Sequence, residues 1–421
     1  MARAPPEKRR MNFAPRTITI PAVNSSAFAV AVEPAFDFAS ANYRALHARS
    51  QASAFQAPRW MNGLYRDVAP ALAAESAATT VRDADGRLLL LLPLVRRRER
   101  GITLLEFADF GICDYLGAVY DPGDAPRLLA DASLPQQIAD ALPPHDLLEL
   151  TKLPGGDPLL DHLFPRVRRA QMRFSAYPAQ LQADWKAWRK AKLDNSFRRY
   201  LDMKRRRLER TDTPAFTLLD EPARIGEAFA AMRRYRVERF KAIGGQDALD
   251  NDAIYDFYLR IATEGAHDGS ARTHCLSVAG EPIAVIFGLV QRGTYSLLLV
   301  GFDAMRHARL SPGLLALEDT VRAAIEAGDT VYDFTIGDHA YKLQFGAEAM
   351  PLHEWHKART IRGHVALLNL SLVRETKRTF KPAVALLQKS VRDLRTSLRN
   401  ALNHANTNAV NTLALTLPIV A

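Results

Sequence analysis

One stretch in the last third of the chain shows the clearest periodicity of apolar and polar residues. Apolar residues recur at helical spacing from Leu314 to Ile325, which predicts an amphipathic helix. Ser311 and Pro312 suit its N-cap and its first position. Gly328 suits the position just past its end. The pattern therefore predicts one helix with clear limits in this part of the chain.

A short apolar run follows this helix. Val331–Thr335 predicts a buried strand, since it is rich in aromatic and β-branched residues. Gly337, Asp338 and His339 then have the composition of a turn. The order of turn, helix, strand and turn places several polar residues at the end of a predicted sheet.

The same order of strands and turns occurs twice along the chain. Each time a strand, a tight turn, an apolar strand, a polar turn and another apolar strand follow one another. The first set is Thr80–Arg82, Asp85–Gly86, Leu88–Val95, Arg96–Gly101 and Ile102–Phe107; the second is Leu276–Val278, Gly280–Glu281, Ile283–Val290, Gln291–Gly293 and Thr294–Phe302. The repetition predicts two related halves.

Helical patterns lie between these halves. A basic helical region spans about Ala183–Arg210, and a second helix spans about Ile225–Phe240. The predicted organisation is a disordered basic N-terminus (1–27), an N-terminal domain (28–182), connecting helices (183–240), a C-terminal domain (241–360) and a basic amphipathic helical tail (361–421).

The net charge of +10 resides at the two ends of the chain. Residues 1–10 carry four basic and one acidic side chain, and residues 361–421 carry nine basic and two acidic ones, which together account for the whole excess. The body is thus close to neutral, which argues against a nucleic-acid-binding protein. The locally basic stretch 186–210 predicts either a solvated helix face or a surface that steers an anionic ligand, such as CoA or an acidic saccharide.

Other compositional features narrow the class of protein. The two cysteines, Cys113 and Cys275, form neither a disulfide framework nor a zinc motif, which favours a reducing cytoplasm. No apolar run approaches the roughly 18–20 residues that cross a bilayer. The basic start lacks the apolar segment of a secretory signal. The eleven histidines are scattered, and the sequence predicts no metal site.

The motifs of the last third resemble a known family. The residues ARLSPG, YDF, GD, YK and FG between Ala308 and Gly346 are similar to the signature of the CelD-like acetyltransferases of bacterial cellulose and exopolysaccharide synthesis, a branch of the GNAT superfamily. Upstream, Phe55–Gln56 with Trp60, and Cys113–Tyr115, resemble the N-terminal half of that family. The resemblance covers roughly residues 28 to 355.

The resemblance implies a fold and a chemistry. The implied fold class is α/β (α+β), with tandem GNAT-like domains, each a mixed, mostly antiparallel sheet flanked by helices, related to the FemA/FemX-type peptidyltransferases. The implied donor is acetyl-CoA or another acyl-CoA, without a metal. The implied acceptor is a sugar or polysaccharide-related group or an amine, which attacks the thioester directly. The first half has no Ser-Pro-Gly turn after Phe107, so only the second half is expected to bind the donor.

The start of the predicted helix is the expected cofactor site. A helix N-terminus flanked by arginines binds phosphate well. The candidate cofactor-binding residues are Arg306, Arg309, Ser311, Gly313 and Leu314. An ordinary capped helix is the alternative interpretation of the same pattern.

Three polar residues after the strand are candidates for catalysis. Asp338 either deprotonates the acceptor or satisfies the amides of its turn. Tyr341 either protonates the departing thiolate or packs as a core aromatic. Lys342 is similar to a lysine of the FemX-type motif and either stabilises an anion or lies on the surface.

Four further residues are candidates for binding the acceptor. Asp114 and Tyr115 match an Asp-Tyr pair of the resembled family and would face the cleft between the halves. Arg239 lies on the helix that opens the second half, together with Arg236. His339 follows the last strand, where it could also act as a base.

Two other functions stay open. One is a FemX-like aminoacyltransferase that uses aminoacyl-tRNA, with residues 186–210 as the tRNA surface. The other is a non-catalytic scaffold of a polysaccharide synthase complex. The tail from Val384 to Leu402 has an apolar seam and basic flanks. This pattern predicts either peripheral contact with a membrane or a synthase complex, or packing on its own domain, or partial disorder. The expected localisation is cytoplasmic or membrane-peripheral.

Overall fold

The computed structural model describes residues 28–211, 213–242 and 244–369. The predicted N-terminal segment 1–27 and the tail beyond residue 369 lie outside the described residues. The first part of the tail, 361–369, is helical. Within the ranges that the model describes, no helix is long and apolar enough to cross a membrane.

The strands lie in both halves of the chain. They are β1 (Ala29–Val32), β2 (Glu75–Ser76), β3 (Thr79–Arg82), β4 (Leu88–Leu92), β5 (Leu94–Glu99), β6 (Ile102–Phe107), β7 (Val119–Tyr120), β8 (Leu147–Pro154), β9 (Arg168–Gln180), β10 (Pro214–Leu219), β11 (Ala271–Val278), β12 (Glu281–Gln291), β13 (Thr294–Phe302), β14 (Val331–Ile336) and β15 (Met350–Ala358). Three of the six predicted strands, those that correspond to β3, β6 and β13, lie within one residue of their predicted limits. The predicted strand Leu88–Val95 is instead β4 and the start of β5.

The helices flank these strands. They are α1 (Ala41–Arg49), α2 (Pro58–Gly63), α3 (Ala69–Ala71), α4 (Ala125–Ala130), α5 (Leu134–Ala141), α6 (Pro158–Leu163), α7 (Trp185–Lys192), α8 (Asn195–Thr211), α9 (Pro222–Ala242), α10 (Asp252–Asp268), α11 (Pro312–Glu326) and α12 (Ala340–Gln344). The helix predicted after Ser311 is α11, and Gly328 follows it with φ of 84°. The basic region predicted as one helix is two, because the chain is extended at Leu193 between α7 and α8.

The repeated pattern corresponds to a repeated topology. An 11-stranded sheet has the order β10-β11-β12-β13-β14-β9-β15-β8-β6-β5-β2, and a 4-stranded sheet has the order β1-β3-β4-β7. Each half contains one parallel pair, β6 with β8 and β13 with β14, and all other pairs among the described strands are antiparallel. Each parallel pair joins only a few residues of the two strands: Leu104–Glu106 with Leu147–Glu149, and Thr294–Ser296 with Val331–Asp333. The mixed, mostly antiparallel fold class is thus confirmed.

The halves exchange strands. β9, from the first half, pairs with β14 of the second. β15, at the end of the second half, pairs with both β8 and β9. Because of this exchange, strands of both halves form one continuous 11-stranded sheet. The predicted domain limits stay a prediction.

The prediction of a polar turn at Arg96–Gly101 is wrong. β5 continues to Glu99 and pairs with β6 from Leu94↔Phe107 to Glu99↔Ile102. The turn is Arg100 and Gly101, both with positive φ (50° and 83°), which is the backbone of a two-residue hairpin. A run of arginines has the composition of a turn, yet here the arginines lie on a paired strand and bind carboxylates, such as Arg96 with Glu75.

A buried ionic cluster fixes α11 to the basic helices. Arg189 of α7 binds Glu318 (Nε–Oε1 2.7 Å), and Arg205 of α8 binds both Glu318 and Asp319 (2.9 and 2.8 Å). The two carboxylates lie on α11 and are only 3% and 7% exposed. Part of the basic stretch is therefore neither a solvated face nor a steering surface, because it neutralises buried acids.

Candidate functional site

A turn at the end of β14 makes this strand diverge from its parallel neighbour β13. The Thr335 amide donates to the Asp333 side chain (2.8 Å), and the Thr335 hydroxyl donates to the Leu297 carbonyl (2.8 Å). Thr335 has a φ of 56°, a left-handed conformation that bends β14 away from its neighbour. The parallel pairing consequently ends at Asp333, and the two strands diverge beyond it.

A cavity of about 730 Å³ opens where the strands diverge. Its walls come from β13, β14, α9, and the start of α11, through Leu298, Phe302, Gly313 and Phe334 among others. Leu298 has no partner on β12, because the register shifts from Phe287↔Leu299 to Gly288↔Leu297. This bulge leaves a backbone amide of the cavity wall outside the β12–β13 ladder.

The start of α11 borders the cavity through Ser311, Gly313 and Leu314. Ser311 occupies the predicted N-cap position, but its side chain does not cap the helix. Its hydroxyl instead bonds to the Tyr200 hydroxyl (2.7 Å), and its own φ is 55°. A Cβ at Gly313 would lie 2.7 Å from the Phe302 ring, so glycine lets the helix start approach β13 closely.

The two predicted phosphate-binding arginines lie outside the cavity lining. The Arg306 guanidinium binds Asp303 (Nε–Oδ2 2.6 Å) and is largely exposed. Arg309 is exposed, and its carbonyl accepts from Lys204 (2.5 Å). Their predicted role in cofactor binding stays a prediction, since a bound phosphate group could reach them only at the rim.

Two arginines of α9 provide the positive charge of the cavity wall. Arg236 is paired with Asp247 (2.8 Å). Arg239 makes no ion pair within the described part of the chain, and its guanidinium lies over the Phe302 ring at 5.4 Å. Burial and the charge of Arg236 lower the pKa of Arg239. An unpaired, partly buried guanidinium is a good binding group for an anion.

Lys342 is buried at the inner end of the cavity, only 2% exposed. Its Nζ donates to the carbonyls of Thr335 (3.0 Å) and Ile336 (2.7 Å), at the turn that ends β14. Burial lowers the pKa of Lys342 to about 8, although nearby carboxylates such as Asp114 favour the charged form. The alternative of a surface lysine is therefore excluded.

The first half contributes Asp114 and Tyr115 to the same turn. Asp114 interacts with the Thr335 side chain, and burial raises the pKa of Asp114 to about 6 against the opposing effect of Lys152. Tyr115 is 7% exposed, and its hydroxyl lies near the Asp333 carboxylate. The two residues thus lie at the cleft between the halves, as the resemblance implies; their role in binding stays a prediction.

The other predicted polar residues differ in position. Asp338 is exposed and accepts hydrogen bonds from the Tyr177 hydroxyl (2.9 Å) and the Ser175 amide (3.1 Å). His339 and Tyr341 line the cavity with their rings stacked at 5.8 Å. Burial raises the pKa of Tyr341 to about 12, so its hydroxyl keeps its proton at neutral pH. The two hydrogen bonds of Asp338 anchor its turn to β9, which favours a structural role for this carboxylate.

Two residues of the site escaped the sequence analysis. Asp333 and Thr335 were predicted only as part of a strand, yet they form the turn that opens the cavity. An Asp followed two residues later by Thr, just before Gly337, is a turn signal that could have marked them. In the described ranges, no group of three His, Cys, Asp or Glu side chains could hold a metal ion.

Comparisons with known proteins agree with this geometry. Residues 195–343 match a family model described as an acetyltransferase (GNAT) domain. No curated protein matches the sequence significantly. The crystal structure of FemX has 12% identity and a TM-score of 0.50, with 70% of this chain and 91% of that chain covered. The structure of L-PGS from Bacillus licheniformis has 11% identity and a TM-score of 0.50, with 80% and 97% covered.

These likenesses to solved structures concern the fold. The family match covers α8 to α12, which includes the diverging strands and every wall of the cavity. The fold prediction of GNAT-like architecture is confirmed, whereas the comparisons do not show the link to cellulose synthesis. Residues 195–343 therefore match a GNAT acetyltransferase domain, and this match supports a transferase.

Proposed function

We propose that the protein transfers an acyl group, in the first place acetyl, from acyl-CoA to an amine or hydroxyl acceptor. The observation that carries this proposal is the charge of the cavity between β13 and β14. Arg239 and Lys342 line it, neither in an ion pair within the described ranges, beside His339 and the paired Arg236. No Asp or Glu lines it among the residues described. Such a cavity suits a ligand that carries several phosphates and a thioester.

The charges and walls of the cavity favour one orientation of the bound CoA. The pyrophosphate of CoA would bind at the N-terminus of α11, where the helix dipole and the Gly313 amide face the entrance. Arg239 would supply positive charge for the phosphates inside the cavity, because Arg306 and Arg309 lie outside its lining. The pantetheine arm would lie between β13 and β14, which brings the thioester toward Leu298 and Lys342.

The reaction is a direct attack within the ternary complex. The nitrogen or oxygen of the acceptor forms a bond to the thioester carbonyl carbon, and negative charge develops on the carbonyl oxygen. The Leu298 amide and the Lys342 ammonium would stabilise that charge. The carbon–sulfur bond then breaks, CoA leaves as a thiolate, and Tyr341 would supply its proton.

Asp114 is better placed than Asp338 to take the proton of the acceptor. Asp338 is exposed, and its Oδ1 already accepts hydrogen bonds from the Tyr177 hydroxyl and the Ser175 amide of β9. Asp114 lies at the turn itself, and its pKa of about 6 suits a general base at neutral pH. The sugar or polysaccharide nature of the acceptor, and a cytoplasmic or membrane-peripheral location, rest on the family resemblance alone.

Aminoacyl transfer from tRNA is the second candidate, since FemX shares the fold. The basic stretch 186–210 offers less surface for tRNA than its composition suggests, because Arg189 and Arg205 are turned toward buried carboxylates. The cavity charge is compatible with either donor. Release of free CoA during turnover, in the absence of tRNA, separates the two candidates.

Replacing Gly313 with glutamate is expected to raise the KM for acetyl-CoA about 100-fold, because the new carboxylate opposes the pyrophosphate. The new Cβ also displaces the Phe302 ring that it would meet at 2.7 Å. The measurement is the rate of thiol release from acetyl-CoA with an amine acceptor. Gly226→Glu is the control, since a Cβ at Gly226 in α9 meets no atom within 4 Å. Equal KM values in both variants would contradict the placement of the donor.

A further inference from the structure

A second cavity lies on the other side of β14. It has a volume of about 380 Å³, within the range of about 300–1,000 Å³ that is typical of small-molecule sites. Tyr115 and Asp333 border it, whereas Phe334 borders the donor cavity. Successive side chains of a strand point to opposite faces, so the two cavities lie on opposite faces of β14.

The two cavities differ in charge. The charged residues that line the second cavity are Asp157 and Asp333, and no Lys, Arg or His is among its described lining. The donor cavity has the opposite character, with basic residues and no carboxylate among the described residues that line it. The donor cavity, on one face of β14, thus favours an anion, whereas the second cavity, on the other face, disfavours an anion.

The charge of Lys342 acts on Asp333, but the Lys342 ammonium donates its hydrogen bonds to the Thr335 and Ile336 carbonyls. Three other cations nearby also bind other oxygen atoms. Lys152 is held by Asp109 (Nζ–Oδ1 2.7 Å), and Arg49 is held by Asp121 (2.8 Å). Arg292 approaches from outside and donates to the Ala52 carbonyl (2.8 Å) and the His47 carbonyl (2.7 Å). None of these three positive side chains, Lys152, Arg49 and Arg292, is paired with Asp157 or Asp333 in these contacts.

We infer that the second cavity binds the acceptor and selects one that is uncharged or cationic, carries hydroxyl or amine groups, and has no phosphate or carboxylate near the reacting atom. The inference rests on the proposed function, because it assigns the acceptor to the face of β14 opposite the donor. Its polar lining, which includes Gln51 and Ser53, offers hydrogen-bond partners for such groups.

The charge of the cavity is measurable without knowing the acceptor. Ser53 lines the cavity and is half-buried, so Ser53→Cys places a thiol there. The probes are a trimethylammonium-ethyl and a sulfonatoethyl methanethiosulfonate, which differ in charge and react with the same thiolate. The native cysteines, Cys113 and Cys275, are buried, so the unsubstituted protein is the blank.

The expected result is a cationic-to-anionic rate ratio about tenfold higher for the Ser53→Cys variant than for a control variant, which is the effect of one charge at short range. The control is Ser196→Cys, exposed at the start of the basic helix α8. Gln51→Cys, at the exposed rim, repeats the measurement if the first variant misfolds. A ratio at or below that of the control, or no reaction with either probe, would overturn the inference.

A panel of acceptors separates this inference from the proposed function. Each member is supplied with and without a phosphate group, as in glucosamine and glucosamine 6-phosphate, and thiol release from acetyl-CoA is followed. We expect turnover of unphosphorylated members only. Equal kcat/KM values for phosphorylated and unphosphorylated members would refute the acceptor class. So would the absence of turnover with every member while acetyl-CoA still binds. Neither result would contradict the donor site. Loss of acetyl-CoA binding refutes the proposed function instead.

Discussion

Replacing Lys342 with methionine is expected to lower kcat by about 10²–10³-fold, the usual effect of removing one donor to a developing oxyanion. Methionine keeps the length and the apolar stem of the side chain, so the walls of the cavity stay filled. The ammonium that donates to the Thr335 and Ile336 carbonyls is lost. The measurement is kcat for thiol release, with the dissociation constant of acetyl-CoA determined in parallel.

The pH profile assigns the effect to the charge of Lys342. Its pKa is lowered to about 8, so the ammonium is present below that pH and activity falls as pH rises through it. Asp114, with a pKa of about 6, accepts a proton only above that pH, so activity rises through it. The profile of kcat/KM is therefore expected to be bell-shaped, with limbs near pH 6 and 8.

Two variants test these assignments. Lys342→Arg keeps a charge at all these pH values and should lose the alkaline limb while retaining part of the rate. Asp114→Asn should lose the acidic limb. A kcat for Lys342→Met within tenfold of the native value would contradict a role in stabilising the transition state, as would an unchanged alkaline limb in Lys342→Arg.

The second large effect concerns stability. Replacing Arg205 with methionine is expected to lower the free energy of unfolding by about 3 kcal/mol, because it leaves the buried Asp319 carboxylate without its counter-ion. Asp319 has both carboxylate oxygens on Arg205 (3.0 and 2.8 Å), whereas Glu318 keeps Arg189. The cost arises mainly at Asp319, which is 7% exposed. Urea unfolding measures the difference.

The pH dependence of this loss has a definite sign. Burial raises the pKa of Asp319 even with Arg205 present, so removal of Arg205 favours the neutral acid further. A protonated carboxyl has no charge to bury, so the penalty should shrink as pH falls. Arg206→Met, exposed on the same helix, is the control and should change stability by less than about 0.5 kcal/mol. Equal losses in both variants would show that the cluster does not stabilise the fold.

The sequence predicted those elements whose signals are local. The hairpin β12–β13 and the helix α11 agree with the prediction to within a residue or two, because turn glycines and helical spacing report on neighbouring residues. The position of Lys342 near the strand end also follows from local order. Asp114 and Tyr115 were predicted from the family resemblance alone. Their contacts with Thr335 and Asp333 join residues more than 200 positions apart, which no local pattern indicates.

Other features depend on distant contacts and could not be predicted. The exchange of β9 and β15 between the halves pairs residues far apart in the chain, such as Asp333 with Pro178. Composition also cannot tell a paired arginine from a free one. Arg306 binds Asp303, whereas Arg239 lies at the cavity without an ion pair among the described residues. Nothing in the composition around Arg239 marks it as the better anion-binding candidate of the two.

Calorimetric titration of acetyl-CoA into the native protein and two charge-reversed variants tests the central claim most directly. Arg239→Glu places a carboxylate in the cavity, whereas Arg234→Glu makes the same change at an exposed position of α9. The account predicts binding by the native protein and by Arg234→Glu, and an affinity at least about tenfold lower for Arg239→Glu. No binding by the native protein, or equal affinities in both variants, would contradict an acyl-CoA site between β13 and β14.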